Sequence, residues 1–213
     1  MLSEQQQFHK EQLMKVLKKY LPPHTVSYCS DLIMHFKLHL HIEVERKDRL
    51  GDYSPHLGKG NRISINHNLN PFDFLLTFIH ELAHHTTFKK YGSKHQAHGV
   101  EWKEEFKIHM RPLVQKHAFP PDIEWPLIQH MRNPAYTHTG DVQLMKALAK
   151  YNPPSDEVIL DDLPLGTIFK IGKRGRIKMR KGDKRRTYIE CEDIDSGKKY
   201  LVHAAAKVFP IID

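Results

Sequence analysis

The chain has 213 residues, 39% hydrophobic and 27% charged, enough for a medium domain with a buried core and a smaller one beside it. It contains no run of about 18 apolar residues, so no membrane span is expected. Residues 1–7 lack the apolar stretch of a signal peptide, and Cys29 and Cys191 are too few and too far apart for a disulfide framework. These features predict a monomer in the reducing cytoplasm, without membrane association. The net charge of +8 is distributed unevenly and gathers late in the chain.

Residues 2–20 predict an amphipathic helix with Leu13, Val16, Leu17 and Tyr20 on one side, stopped by Pro22 and Pro23. A second helix over 26–36 turns Cys29, Leu32, Ile33 and Phe36 inward, which makes Cys29 a core residue and not a nucleophile. Leu38, Leu40, Ile42 and Val44 alternate with His39, His41, Glu43 and Glu45, the period of a half-buried strand whose solvated face carries both histidines. Glycines and Pro55 make 51–60 a loop or irregular hairpin. Residues 62–66 form a short strand leading to Asn70.

Asn70 followed by Pro71 is a helix start, and Phe74, Leu75, Phe78, Ile79 and Leu82 recur at helical spacing behind it. This helix carries His80-Glu81-Leu82-Ala83-His84. Residues four apart share a helix face, so His80 and His84 can offer imidazole nitrogens to one ion while Glu81 sits beside them. With a third neutral ligand and one open position, this is the donor set of a catalytic zinc. His85 is turned about 100° away from His84 on the helix. His95, in the loop after Gly92, and His98, just before the next helix, are the candidates for the third ligand. His98 is preferred because that helix anchors its backbone.

The helix over 99–116 contributes Trp102, Phe106, Ile108, Met110 and Leu113 and ends before Pro120 and Pro121. Helices follow over 122–131 and 141–151. Pro153, Pro154 and Ser155 mark a linker over 153–157, which separates a domain of residues 1–152 from a small β-domain of residues 158–213. There, short strands over 167–171, 176–180, 186–193 and 199–203, with glycines at 172, 175, 182 and 197 as turns, predict a barrel-like sheet with Cys191 buried on a strand. Lys173, Arg174, Arg176, Lys178, Arg180, Lys181, Lys184, Arg185 and Arg186 crowd this region with one acid, Asp183, among them. Such density suits a nucleic-acid phosphate backbone, a solvated strand edge guarded by lysines, or an acidic protein partner.

Leu50-Gly51-Asp52-Tyr53, Arg62-Ile63-Ser64-Ile65-Asn66, Phe78 through His85, and His98-Gly99-x-x-Trp102-Lys103 together resemble the SprT-like zinc metalloproteases, which include the Spartan proteases. The resemblance covers roughly residues 24–120. It implies an α+β, zincin-like minimal protease domain with helices packed on a small sheet. By position it assigns His80, His84 and His98 as ligands of one Zn²⁺ per chain and Glu81 as the catalytic acid/base. It further implies a protein or peptide substrate, possible action on proteins held on DNA, and a cleft-rim strand in which Ile63, Ile65 and Asn66 pair with an extended substrate. Tyr53 either donates toward the oxyanion or packs. Many relatives carry Cys-x-x-Cys pairs of a zinc ribbon, whereas this chain has only Cys191 in that region, so no second zinc is expected.

Overall fold

The computed structural model describes residues 3–46, 48–55, 60–134, 141–172 and 175–211. The chain is α+β and divides into two units, Met1–Asn133 and Pro134–Asp213.

The first unit opens with α1 (Glu4–Leu17), whose Ser3 and Gln6 form a capping box, and α2 (Val26–Phe36), which ends on a left-handed Lys37. Three strands follow: β1 (Leu38–Glu43), β2 (Gly51–Ser54) and β3 (Asn61–Asn66). They pair in the order β1-β3-β2, with β3 parallel to β1 and antiparallel to β2. Of the two readings of 51–60, loop or irregular hairpin, residues 51–54 follow the hairpin: they are a strand paired antiparallel with β3. Gly51 opposite Ile65 and Tyr53 opposite Ile63 give them a ladder that local composition does not reveal.

The long α3 (Pro71–Tyr91) packs on β2, β3 and α4 (Val100–Gln115), and α5 (Pro121–Arg132) packs on α4. Because α3 is covered by the sheet and by α4, its Phe74, Leu75, Phe78, Ile79 and Leu82 are all buried, along with Ile63, Ile65, Trp102 and Phe106. Each such side chain contributes roughly 1.5–3 kcal/mol, so the helix bearing the candidate site sits in the most strongly held part of the unit.

The second unit comprises α6 (Val142–Ala149), β4 (Val158–Ile159), β5 (Ile168–Ile171), β6 (Ile177–Arg185), β7 (Tyr188–Asp193), β8 (Lys199–His203) and β9 (Lys207–Pro210). The strands form one antiparallel sheet in the order β4-β9-β5-β6-β7-β8. Its core contains Val142, Leu160, Phe169, Met179, Ile189, Cys191 and Val208, with Met145 packed against it. Val142 and Met145 belong to α6, and Lys146 of the same helix holds Asp161 at 2.7 Å. The division therefore falls before α6 and not at 153–157, since this helix needs an apolar partner and finds it in the β core. Gly182, read as a turn, lies inside β6 at a register shift between Lys181 and Lys184. A Cβ there would stand 2.6 Å from the Glu190 carbonyl oxygen, so glycine permits the bulge.

Candidate metal centre

Asn70 starts the helix as its residue type suggests: Oδ1 accepts from the backbone N–H groups of Phe72 and Asp73, each at 3.0 Å, ahead of Pro71 in the first turn. Two and a half turns on, His80 and His84 project from one face. The third imidazole arrives from outside the helix. His98 adopts a left-handed backbone with φ of 59°, and Gly99 then caps α4 while donating its N–H to the Gln96 carbonyl at 2.9 Å. A Cβ on Gly99 would lie 2.9 Å from that same carbonyl oxygen, so a side chain at this position would open the turn that presents His98.

The three Nε2 atoms converge. His80 to His84 is 3.2 Å, His84 to His98 is 2.9 Å, and His98 to His80 is 3.1 Å. Three neutral imidazoles cannot satisfy one another in such a triangle, because each Nε2 carries either one proton or one lone pair. A cation resolves the conflict by accepting three lone pairs. Tetrahedral zinc at about 2.0–2.1 Å from each nitrogen sets them about 3.3 Å apart, close to the separations found. Among the described residues these three side chains form a group able to hold a metal ion, each partly exposed, so that solvent can reach a fourth position.

Burial holds the His84 imidazole down at about 3, helped by His98 and His95, and holds His98 down at about 4. Both are thereby kept in the neutral form that binds metal. The fully buried Trp102 forms the floor. Its ring centroid lies 4.7 Å from His80, 5.4 Å from His84 and 4.7 Å from His98, and Phe106 stacks behind it at 5.3 Å. The sequence marks Trp102 only as an apolar contact of its helix. Its position in His98-Gly99-x-x-Trp102 was the available signal, because the fourth residue after His98 falls one turn into α4.

Glu81 is buried beneath β2. A Cβ on Gly51 would stand 2.6 Å from Thr77 Cγ2 and 2.8 Å from Glu81 Oε1, so only glycine lets β2 approach the helix this closely. Burial first, and then the Asp52 carboxylate, raise the Glu81 carboxyl to about 8, against opposing effects from Arg46 and from the Tyr53 backbone N–H. A cation held by the three imidazoles acts in the lowering direction as well.

The remaining expected site residues are placed differently. His95 Nδ1 lies 2.6 Å from the Gly92 carbonyl oxygen and stays outside the group. Ile63 and Ile65 are wholly buried, and β3 has a strand on each side, so it offers no edge to a substrate. Asn66 holds the loop between β1 and β2: its Nδ2 donates to the carbonyls of Arg46 at 3.0 Å and Arg49 at 2.8 Å, and Arg46 Nε donates to its Oδ1 at 2.9 Å. Tyr53 donates its hydroxyl to Asn61 Oδ1 at 3.1 Å and stands 3.3 Å from His85 Nδ1, so the hydroxyl is engaged away from an oxyanion position.

Lys173 and Arg174 lie outside the described residues. Lys181 points into the second unit, where its amine donates to the carbonyls of Asp161, at 3.0 Å, and Leu163, which removes it from any outer surface. Lys184 pairs with Asp161 at 2.7 Å, Arg185 with Glu190 at 2.9 Å and Arg180 with Glu192 at 4.0 Å. Arg176, Lys178 and Arg186 are exposed and have no ion pair among the described residues. β6 lies between β5 and β7, so its lysines do not guard a sheet edge either.

Among the described residues no helix is long and apolar enough to cross a membrane. No family model, curated protein or solved structure matches the chain, so the residues described above carry the functional reading by themselves.

Proposed function

We propose that this chain is a zinc-dependent metalloendopeptidase of the SprT-like kind, with a zincin-like first unit that cleaves peptide bonds and a barrel-like basic second unit. The observation that carries this reading is the convergence of His80, His84 and His98 Nε2 within 3.2 Å, with Glu81 next to the first ligand and buried under β2. A closed structural site gains nothing from a carboxylate beside its solvent-reachable position, whereas hydrolysis needs one.

When bound, zinc would lower the pKa of water toward neutrality and polarise the scissile carbonyl. His80, His84 and His98 would hold it, and the Trp102 floor fixes the tilt of their rings. Glu81 takes the proton from the attacking water and later delivers it to the leaving amine. Its carboxylate is seated against Gly51 of β2. The central β3, paired on both sides, is not the strand that receives an extended substrate.

Nucleic acid is the proposed docking partner for the second unit, through Arg176, Lys178 and Arg186. A general peptidase without nucleic-acid binding is the second reading, favoured by the pairing of Lys184, Arg185 and Arg180 with carboxylates. The deciding experiment measures metal content by mass spectrometry and cleavage of an unfolded protein substrate, for the wild type beside His98→Ala. One zinc per chain with cleavage, both lost in the variant, supports the peptidase. No zinc taken up even on addition overturns it. Salt-dependent binding to DNA separates the two readings of the second unit.

A further inference from the structure

Glu81 is seated by a strand that is itself weakly held. β2 has four residues, one neighbouring strand, and a glycine at the point where it meets α3. Main-chain pairing on one side is a small hold for an edge segment this short. Its third residue, Tyr53, supplies two further contacts of different kinds. The backbone N–H acts to lower the Glu81 carboxyl pKa, at the end of β2 where Gly51 packs against the same carboxylate. The side chain stays on the flank of α3 that carries Glu81, where the hydroxyl donates to Asn61 Oδ1 of β3 at 3.1 Å and lies 3.3 Å from His85 Nδ1. With the hydroxyl proton given to Asn61, the Tyr53 oxygen accepts from His85 Nδ1–H, and the fully buried His85 Nε2, which has no hydrogen-bond partner among the described residues, is the bare nitrogen of that tautomer. The Tyr53 ring also meets His85 edge-on at 5.5 Å and Phe88 at 6.3 Å.

We infer that Tyr53 is a positioning residue for Glu81: its hydroxyl, held between Asn61 and His85, latches β2 to the helix of the metal ligands, and β2 so held keeps Gly51 against the Glu81 carboxylate. The inference rests on the peptidase reading and adds to it a residue that touches neither metal nor substrate. It also explains why a second histidine follows His84. His85 is turned about 100° from His84, one helical turn beyond Glu81, and serves the strand that seats the acid/base.

Tyr53→Phe keeps the ring packing and removes only the latch. It should bind one zinc per chain as the wild type does and leave KM for an unstructured peptide unchanged. Its kcat should fall about tenfold, the scale expected when one hydrogen bond no longer fixes the geometry of a reacting group. Independently of activity, amide hydrogen exchange on the metal-free chain should rise at residues 51–54 while α3 stays protected. Asn61→Ala should reproduce both effects and add little to Tyr53→Phe in the double variant, as coupled partners do. Asn61→Asp keeps the acceptor oxygen and should restore both.

Unchanged exchange at residues 51–54 in both Tyr53→Phe and Asn61→Ala would overturn the latch. So would raised exchange with an unaltered kcat, or a change confined to KM. A wild type that binds zinc yet cleaves no peptide would remove the reading on which the role rests. That failure is distinguishable, because exchange in β2 is measured without metal or substrate.

Discussion

The two units treat concentrated nitrogen chemistry in opposite ways. In the first, three imidazoles, two of them (His84 and His98) held neutral by burial, bring their Nε2 atoms within 3.2 Å of one another in an arrangement that could hold a cation. In the second, side chains that always carry charge are separated or matched: Lys184, Arg185 and Arg180 face carboxylates, and Lys181 is drawn inside to cap two carbonyls. Neutral donors can be gathered by packing alone, because they do not repel strongly until they are protonated. Fixed cations cannot. A dense run of them on a strand therefore describes a surface to be neutralised before it describes a binding site.

The comparison is broken most sharply by Glu81→Gln, which should retain one zinc per chain and lose kcat by about 10²–10⁴-fold, the range for removal of a general acid/base. Zinc content and peptide cleavage on the same sample check it. His98→Ala should weaken zinc binding by more than about a hundredfold, beyond the loss expected from an outer hydrogen-bond partner, as read by competition with a chelator. Trp102→Ala takes the floor from beneath the rings and should cost about 3–5 kcal/mol in denaturant unfolding of the first unit. In the second unit two neighbouring lysines should separate cleanly. Lys181→Met leaves the Asp161 and Leu163 carbonyls without their donor and should destabilise that unit by about 1–3 kcal/mol, with no effect on nucleic-acid affinity. Lys178→Ala should leave stability within about 0.5 kcal/mol and, if DNA docks there, reduce the slope of log affinity against log salt by about one.

Much of the metal group is legible in the sequence because helix geometry is local. Asn70, Pro71 and the four-residue interval fix the start of α3 and the shared face of His80 and His84 without knowledge of any other element. His98 is harder to read, since its approach depends on a left-handed backbone and on Gly99 clearing Gln96. What the sequence conceals is pairing between distant segments. Gly51–Ser54 reads equally as loop or irregular hairpin until β3 supplies its ladder, and the cleft rim that the resemblance gives to Ile63 and Ile65 gives way once strands on both sides enclose them. Likewise β4 and β9, two and four residues long, show no alternation long enough to notice. Lys181 appears equivalent to Lys178 in the sequence, yet the bulge at Gly182 and the inward register opposite Cys191 turn it into the core.

The left-handed turn at His98 and the all-nitrogen donor set have a consequence for metal identity. Three imidazoles with an open position do not select zinc by themselves; copper(II) binds such nitrogen sets more tightly, and nickel and cobalt also suit them. Any ion recovered with the protein would therefore be governed by supply during growth and purification, and a nickel affinity column would itself be a source. Cobalt offers the useful counterpart: exchanged into the triangle of His80, His84 and His98, it would make the coordination visible by its absorption while keeping a tetrahedral shape.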